Sequence, residues 1–246
     1  MTWLLVDNSN TRTKFALADE SGLSEWRAMM PTAEISEDSL AKLLGSTAFD
    51  AAVVASVVPV REAVLLGYLS RRGPAHRLDA TSPLGMGIDY PEPSQIGADR
   101  LANAVGVMAR YGTPAVVVDS GTAVTFDVVS AAPAYCGGAI APGVSAMTRY
   151  LSQATALLPA IELEEPASAI GKTTVQAMQV GAVIGYRGMV RGILEKIKAE
   201  MGCDPVIVAT GGDAELLAAG LPEIQAVDPD LTLEGIRRVA LALRIS

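Results

Sequence analysis

VDSGTAVT, at residues 118–125, is the stretch of sequence that decides the fold. An apolar, valine-rich run at 115–118 leads into an acid, two small residues and a threonine, and a second apolar run follows at 124–129. This order predicts a strand, a tight turn and an antiparallel strand. We expect Gly121 to give the turn a backbone conformation that other residues adopt only at a cost. We also expect the backbone N–H groups of the turn to suit a phosphate.

The same design occurs near the start of the sequence. An apolar run ends at Asp7, small polar residues follow, and a second run begins at Lys14. Either turn alone could be a polar hairpin turn without a function, because Asn and Ser favour turns through local hydrogen bonds. Their repetition indicates an internal duplication and two phosphate-binding turns, which we name the first turn (residues 7–12) and the second turn (residues 119–123). An acid at the end of each leading strand also suits Mg2+ or another cation held against phosphates.

Length and residue order indicate two α/β domains. The 246 residues, half of them hydrophobic, could form one large domain or two smaller ones, and the repeat favours two. We predict domains at 1–112 and 113–246. Each half has strands first and then alternating helix and strand, which is the order of an α/β fold. Helices are predicted at 36–45, 59–73, 98–111, 145–158 and 173–201, and after a cap at Thr232. The helix at 173–201 is a candidate for a break near Gly185 or Gly188.

Charge and residue usage exclude several classes of protein. The net charge is −8 and no run of Lys or Arg interrupts the acidic sequence, so nucleic acid is not an expected partner. Two distant cysteines and one histidine exclude a zinc site and fit a reducing, cytoplasmic compartment. No apolar stretch reaches about 18 residues, so no membrane span is expected.

A loop at 81–97 is crowded with proline and glycine, and it carries Tyr90. Long loops of this kind tend to carry function, and Asp99 and Arg100 begin the helix that follows. Asp99 is a candidate general base, since a carboxylate that deprotonates a hydroxyl is the minimum that a kinase needs. The alternative is an acid that only complements the positive end of the helix dipole.

Two familiar nucleotide-binding signatures are absent. Gly171, Lys172 and Thr173 resemble the end of a P-loop, but Pro166 stands where that motif needs glycine. The pair Gly85 and Gly87 fails as a dinucleotide fingerprint, because Tyr90 occupies the place of the third glycine.

Taken in order, the motifs resemble those of the type III pantothenate kinases. This family is part of the acetate and sugar kinase, heat-shock chaperone and actin superfamily. Residues 7–12 resemble its D-x-G-N-T-R motif, 97–100 its G-x-D-R motif and 119–123 its D-x-G-T-A motif. Further matches lie at 56–59, at 137–143 and around Thr174. Each match alone is weak, but together they span the sequence in the family's order.

The resemblance implies two duplicated actin-like, ribonuclease H-like domains with mixed sheets flanked by helices. It implies ATP and pantothenate as substrates, Mg2+ and a monovalent cation (potassium or ammonium) as cofactors, and a homodimer. Asp99 would be the catalytic base. The implied ATP-binding residues are Asp7, Asn8, Ser9, Asn10, Thr11, Arg12, Thr13, Lys14 and Thr122. The implied pantothenate contacts are Tyr90, Gly97, Ala98, Arg100 and Thr174, with Mg2+ near Asp7 and the monovalent cation at Asp119.

Ser9 departs from the family pattern, which has glycine at this position of the first turn. If the position needs a positive φ, serine costs about 1 kcal/mol of strain or moves the loop outward. We therefore expect weak ATP binding.

Two other functions compete with a pantothenate kinase. The first is another enzyme of the superfamily, such as a sugar kinase, an acetate kinase or a polyphosphate phosphatase, because a fold alone never fixes a substrate. The second is a catalytically weak or inactive relative that acts by binding, as a regulatory accessory factor. Ser9 favours this second function, whereas the intact Asp7, Asp99, Arg100 and Asp119 argue against it.

Overall fold

The computed structural model describes residues 1–243, which divide into two compact units. The first stretch of unit 1 is Met1–Thr113, and unit 2 begins at Pro114. This change of unit lies next to the sequence-based boundary between residues 112 and 113. Unit 1 also includes Val129–Cys136 and the last helix, whereas unit 2 consists of Pro114–Val128 and Gly137–Pro229.

The first sheet is mixed and five-stranded. Its strands are β1 (Trp3–Asn8), β2 (Arg12–Ala18), β3 (Leu23–Pro31), β4 (Ala51–Ser56) and β5 (Ala75–Arg77), in the order β3-β2-β1-β4-β5. β1 runs antiparallel to β2 and parallel to β4. Both β1 and β4 are buried along their whole length, which is why they are nearly continuous apolar runs.

Local sequence signals set the helices that follow these strands. α1 (Glu37–Leu44) is capped by the Ser36 side chain, which accepts a hydrogen bond from the Ser39 N–H at 3.2 Å. α2 (Pro59–Leu69) begins with proline at the position where its missing N–H costs least. α3 (Ala98–Tyr111) has the predicted bounds. The preceding loop, predicted as irregular, includes a short strand β6 (Gly87–Ile88) and one turn of 3-10 helix at Pro93–Gln95.

The second sheet repeats the plan of the first. Its six strands are β6, β7 (Ala115–Ser120), β8 (Ala123–Val129), β9 (Ala134–Pro142), β10 (Val206–Thr210) and β11 (Ala226–Val227), in the order β11-β10-β7-β8-β9-β6. Reversed and without β6, this order corresponds strand for strand to that of the first sheet. β7 is parallel to β10, as β1 is to β4. The predicted duplicated α/β fold with mixed sheets is therefore confirmed.

The helices of unit 2 differ in detail from those predicted. They are α4 (Val144–Ala154), α5 (Thr174–Val180), α6 (Tyr186–Met201) and the short α7 (Ala214–Ala218). α4 ends four residues before the predicted Leu158, because the backbone is extended from Thr155. The helix predicted at 173–201 is interrupted by a π-helical segment at Gly181–Gly185.

The last helix, α8 (Leu231–Leu243), packs closely against α3 in unit 1. A Cβ on Gly235 would overlap the carbonyl oxygen of Ala102, so glycine permits the close approach. The predicted cap at Thr232 is wrong, because α8 begins at Leu231 and the Thr232 hydroxyl donates to Asn103 Oδ1 at 2.7 Å instead. The end of the sequence, residues 244–246, lies outside the described residues. Within residues 1–243, no helix has the length and apolar character needed to cross a bilayer.

Candidate active site

The first turn joins β1 to β2 and keeps its acid inside. Asp7 is 4% exposed at the end of β1, and its Oδ1 accepts a hydrogen bond from the Ser9 hydroxyl at 2.9 Å. Lys14 lies opposite Asp7 in the antiparallel register. The residues between them that are exposed are Asn10, Thr11 and Arg12. The turn therefore presents two polar side chains and the positively charged Arg12 to solvent, and the Asp7 carboxylate is buried beneath them.

A chain of buried hydrogen bonds holds the first turn from below. Ser56 donates to Asn8 Oδ1 at 2.6 Å, and Asn8 Nδ2 donates to Thr13 Oγ1 at 2.7 Å. The Thr32 hydroxyl donates to the carbonyl oxygen of Ser9 at 2.7 Å, so the Thr13 hydroxyl is the donor in the 2.9 Å bond between the two threonines. The side chains of Asn8 and Thr13 thus lie beneath the turn, where they fix its shape.

The start of α3 orients the candidate base. Asp99 is half-buried in the first turn of the helix, and its Oδ1 accepts the backbone N–H of Arg100 at 2.8 Å. A Cβ at Gly97 would lie 2.6 Å from that same oxygen, so glycine lets the carboxylate keep this position. Val57, whose N–H donates to the Asn8 carbonyl at 3.1 Å, lies beside Gly97. The first turn and the start of α3 are therefore at the same end of the first sheet.

Two tyrosines and an arginine lie together in unit 1, next to the start of α3. The Arg100 guanidinium lies 5.7 Å from the centre of the Tyr135 ring. The centres of the Tyr90 and Tyr135 rings are 6.2 Å apart, and the two ring planes meet at 59°. Tyr135 is fully buried and adjoins the loop because Ile88 pairs with it in a parallel register. Sequence reasoning missed Tyr135, and no local signal marks it, because its role depends on pairing between β6 and β9.

The second turn lies between the neighbouring strands β7 and β8, which only two residues connect. So short a connection is possible only between antiparallel strands. Asp119 is half-buried at the end of β7 and Thr122 is exposed. The reason given for Gly121 is wrong, because its φ lies outside the left-handed region. The close approach falls on Gly143, whose N–H donates to the Thr122 carbonyl at 3.1 Å and whose Cβ would overlap the carbonyl oxygen of Gly121.

A second loop, after β10, supports the same turn. Gly211 has φ +91°, and a Cβ there would lie 2.6 Å from Asp119 Oδ1. The N–H of Asp213 donates to the Ser120 carbonyl at 3.0 Å. Burial raises the pKa of Asp213 above its ordinary value. No local signal in the sequence marks Gly211 and Asp213, because their contact with the second turn requires the parallel pairing of β7 with β10.

Thr174, the remaining predicted site residue, begins α5 and lines a cavity of about 410 Å3 in unit 2. Most of the lining is apolar. It comes from α4, α5, the π-helical segment and the chain just after α4: Met147, Leu151, Leu158, Ala177, Met178 and Ala182. Since α4 follows directly after Gly143, it connects this cavity to the second turn. The predicted residues thus form one group in unit 1 and one in unit 2. Within residues 1–243 there is no cluster of three or more His, Cys, Asp or Glu side chains suited to a metal ion.

Solved structures define the class to which this fold belongs. A Sinorhizobium meliloti protein described as a 2-dehydro-3-deoxygalactonokinase matches with a TM-score of 0.61 and 15% identity, over 99% of this chain and 97% of that one. A Campylobacter jejuni protein described as a Baf family transcriptional activator matches with a TM-score of 0.66 and 19% identity, over 98% of both chains. Such identities show the fold alone, and it is that of the actin-like sugar kinases.

Sequence comparison places the chain within this class. Residues 3–196 match the family model for type III pantothenate kinases. A type III pantothenate kinase from Akkermansia muciniphila is 55% identical over 240 residues, which are 98% of each chain. The chain belongs to the type III pantothenate kinase family, as the motifs in the sequence predicted.

Proposed function

We propose that this protein transfers the γ-phosphoryl group of ATP to the primary hydroxyl of pantothenate. The product is 4'-phosphopantothenate, the first intermediate of coenzyme A biosynthesis. The observation that carries the proposal is the Asp99 carboxylate, oriented by Gly97 and the Arg100 N–H at the same end of the sheet as the first turn. An acid held next to a phosphate-binding turn suits the transfer of a phosphoryl group to a hydroxyl.

In this reaction Asp99 accepts the hydroxyl proton of pantothenate. The hydroxyl oxygen then forms a bond to the γ-phosphorus, and the bond between that phosphorus and the β–γ bridging oxygen breaks to release ADP. Most of the rate enhancement in phosphoryl transfer comes from positioning and charge stabilisation, so the shape of the two turns matters as much as the base. The hydrogen bonds beneath the first turn supply this rigidity through Asn8 and Thr13.

The turns would hold ATP, with residues 7–14 and Thr122 on its phosphates. The donor chemistry fits Mg2+ at Asp7, because Mg2+ is usually bound by one or two carboxylates together with phosphates and water. Mg2+ would neutralise charge on the phosphates when bound. Asp119 would hold a potassium or ammonium ion at the second turn, where its carboxylate lies close to the Gly211 backbone.

Pantothenate would contact Tyr90, Gly97, Ala98, Arg100 and Thr174. The Arg100 guanidinium offers a partner for the substrate carboxylate, and Tyr135 keeps that guanidinium in place through the ring contact at 5.7 Å. The apolar cavity beside Thr174 suits a substrate with a branched aliphatic portion.

A homodimer and a cytoplasmic location are part of the same proposal. Unit 2 exposes several large apolar side chains, among them Tyr150 at 68%, Leu157 at 88% and Ile170 at 68%. Exposed apolar groups of this kind are typical of protein interfaces. Cys136 and Cys203 are exposed and form no disulfide, which suits a reducing compartment.

A substrate panel tests the proposal against the two competing functions. In the presence of Mg-ATP and potassium we expect ADP release with pantothenate and none with hexoses or acetate. We also expect no release of inorganic phosphate from polyphosphate. Replacing potassium with sodium is expected to lower the rate, since the cation site would lose its preferred ion. Turnover of a sugar or of acetate would identify another kinase of the class. Absence of turnover with every substrate would favour the binding protein.

The substitution Ser9→Gly tests the departure in the first turn. We expect a lower KM for ATP, because glycine lets the backbone approach the phosphates without strain of about 1 kcal/mol. Ser9→Ala is the matched control, since it removes the hydroxyl bonded to Asp7 but keeps the Cβ. An unchanged or higher KM for ATP in Ser9→Gly would show that serine does not weaken binding. An equal gain in Ser9→Ala would assign the effect to the hydroxyl.

A further inference from the structure

Tyr186 is a buried polar side chain that the proposed reaction does not use. It is fully buried at the start of α6, and its hydroxyl lies 3.0 Å from the Ser120 hydroxyl. The backbone N–H of Val144 lies near the same phenol oxygen, where it lowers the pKa of Tyr186. Ser120 precedes the tip of the second turn, and Val144 begins α4, which follows the close approach at Gly143. The phenol is therefore bonded to one segment of the second turn and lies next to the other.

Ser120 is held by hydrogen bonds to both its backbone carbonyl and its side-chain hydroxyl. Its carbonyl accepts the N–H of Asp213 at 3.0 Å, and its side chain is bonded to Tyr186. Burial raises the pKa of Tyr186, and the negative charges of Asp213 and Asp119 add to the rise. The side chain is therefore a neutral phenol that keeps a proton for hydrogen bonding at physiological pH.

The surroundings of Tyr186 fix its position. It follows directly after the π-helical segment Gly181–Gly185, whose wider turn changes the direction of the side chains beyond it. The next residue, Arg187, is 7% exposed and makes two 2.8 Å hydrogen bonds to the carboxylate of Glu165. It also donates to the carbonyl of Leu216 at 2.6 and 2.9 Å. A segment anchored in this way can hold the turn rigidly.

We infer that Tyr186 is a positioning residue, which holds the second turn through its hydrogen bond to Ser120 in the shape that binds the phosphates of ATP. The inference rests on the proposed function, since it takes ATP as the ligand of Thr122. Tyr186 acts on the turn from behind and has no contact with substrate in this scheme. Its loss should therefore affect the use of ATP and leave pantothenate binding unchanged.

The substitution Tyr186→Phe removes only the hydroxyl. We expect kcat/KM for ATP to fall about tenfold, the effect of losing one buried hydrogen bond that the turn needs. KM for pantothenate is expected to stay within about twofold of wild type, because Tyr186 acts only on the second turn. A general loss of structure would instead change the kinetic constants for both ATP and pantothenate. Ser120→Ala should give the same result, and the double variant should be no worse than either single one, because the residues act as a unit.

A second readout needs no turnover. Mg-ATP that binds the folded protein raises its Tm by mass action, and we expect a smaller rise for Tyr186→Phe than for wild type at the same ATP concentration. Leu194→Ala is the matched control: Leu194 is 1% exposed on the same helix, two turns beyond Tyr186. This variant should lower the Tm of the ligand-free protein but keep the rise with ATP and the KM for ATP.

The outcomes separate this inference from the proposed function. An unchanged kcat/KM for ATP together with an unchanged ATP-dependent rise in Tm for Tyr186→Phe would overturn the inference, and so would equal losses in Leu194→Ala. A wild-type protein that phosphorylates a substrate other than pantothenate would contradict the proposed function, while the rise in Tm would still test Tyr186. A wild-type protein that neither turns over nor gains stability with Mg-ATP would contradict both.

Discussion

Replacing Asp99 with asparagine is expected to lower kcat for phosphopantothenate formation by about 10²- to 10⁴-fold. The amide has nearly the same shape as the carboxylate, so its oxygen can still accept the Arg100 N–H that Asp99 accepts at 2.8 Å. It cannot take the proton of the substrate hydroxyl. The measurement is steady-state turnover at saturating ATP and pantothenate, with the Tm recorded for each protein to show that the fold is retained.

Asp89→Asn is the matched control for this substitution. Asp89 is an exposed acid ten residues earlier, in the loop that precedes α3, so its replacement makes the same change in net charge. We expect its turnover to equal that of wild type. Turnover of Asp99→Asn near the wild-type rate would mean that another residue takes the proton.

Replacing Glu234 with glutamine is expected to lower the free energy of unfolding by about 3–5 kcal/mol, the usual cost of removing one partner from a buried ion pair. Glu234 is 3% exposed on α8, and Arg237 donates to its two oxygens at 2.8 Å. Arg238 donates to Glu234 at 2.7 Å, and Arg110 of α3 lies 3.6 Å from it. The substitution would leave Arg237, itself 5% exposed, without a charge partner. Urea unfolding at pH 7 measures the change.

The contribution of Glu234 to the free energy of unfolding depends on pH. Burial alone would raise the pKa of Glu234, but the hydrogen bonds from Arg237 and Arg238 outweigh it and hold the pKa below the ordinary value. The stabilisation is therefore fully present above the ordinary glutamate pKa of about 4.3 and is lost as pH falls through the lowered value. The difference between wild type and Glu234→Gln should shrink over that range. Glu25→Gln, at an exposed position of β3, should change the unfolding free energy by less than about 0.5 kcal/mol at every pH. A difference that persists undiminished at low pH would contradict this account of the ion pair.

Local signals explain why much of the fold could be predicted from the sequence. Ser36 at an N-cap, Pro59 at the first position of a helix and Gly112 after the end of α3 each act within one turn of helix, so their effect can be read from the residues alone. The two strand-turn-strand segments were also recognisable, because strand residues flank the first and second turns in both halves of the chain.

Contacts between distant segments explain what could not be predicted. The place of α8 in unit 1 depends on Gly235 and Gly106, which let two helices approach closely and have no distinctive pattern in the sequence. Tyr135 and Tyr186 resemble ordinary core tyrosines until strand pairing and the π-helical segment bring them to Arg100 and Ser120. The sequence also led us to expect that the second turn needs glycine at position 121. The structure instead requires glycine at position 143, directly after β9, where a Cβ would overlap the Gly121 carbonyl oxygen.

The most direct test of the proposed function is detection of 4'-phosphopantothenate by mass spectrometry after incubation of the purified protein with pantothenate, Mg-ATP and potassium. Reactions without pantothenate, and with Asp99→Asn in place of wild type, are the controls. We predict that the wild-type reaction forms phosphopantothenate and ADP in equal amounts, that the variant forms it at least about 100-fold more slowly, and that neither appears without pantothenate. ADP released without phosphopantothenate, or no product of either kind, would contradict the assignment of this protein as an active pantothenate kinase.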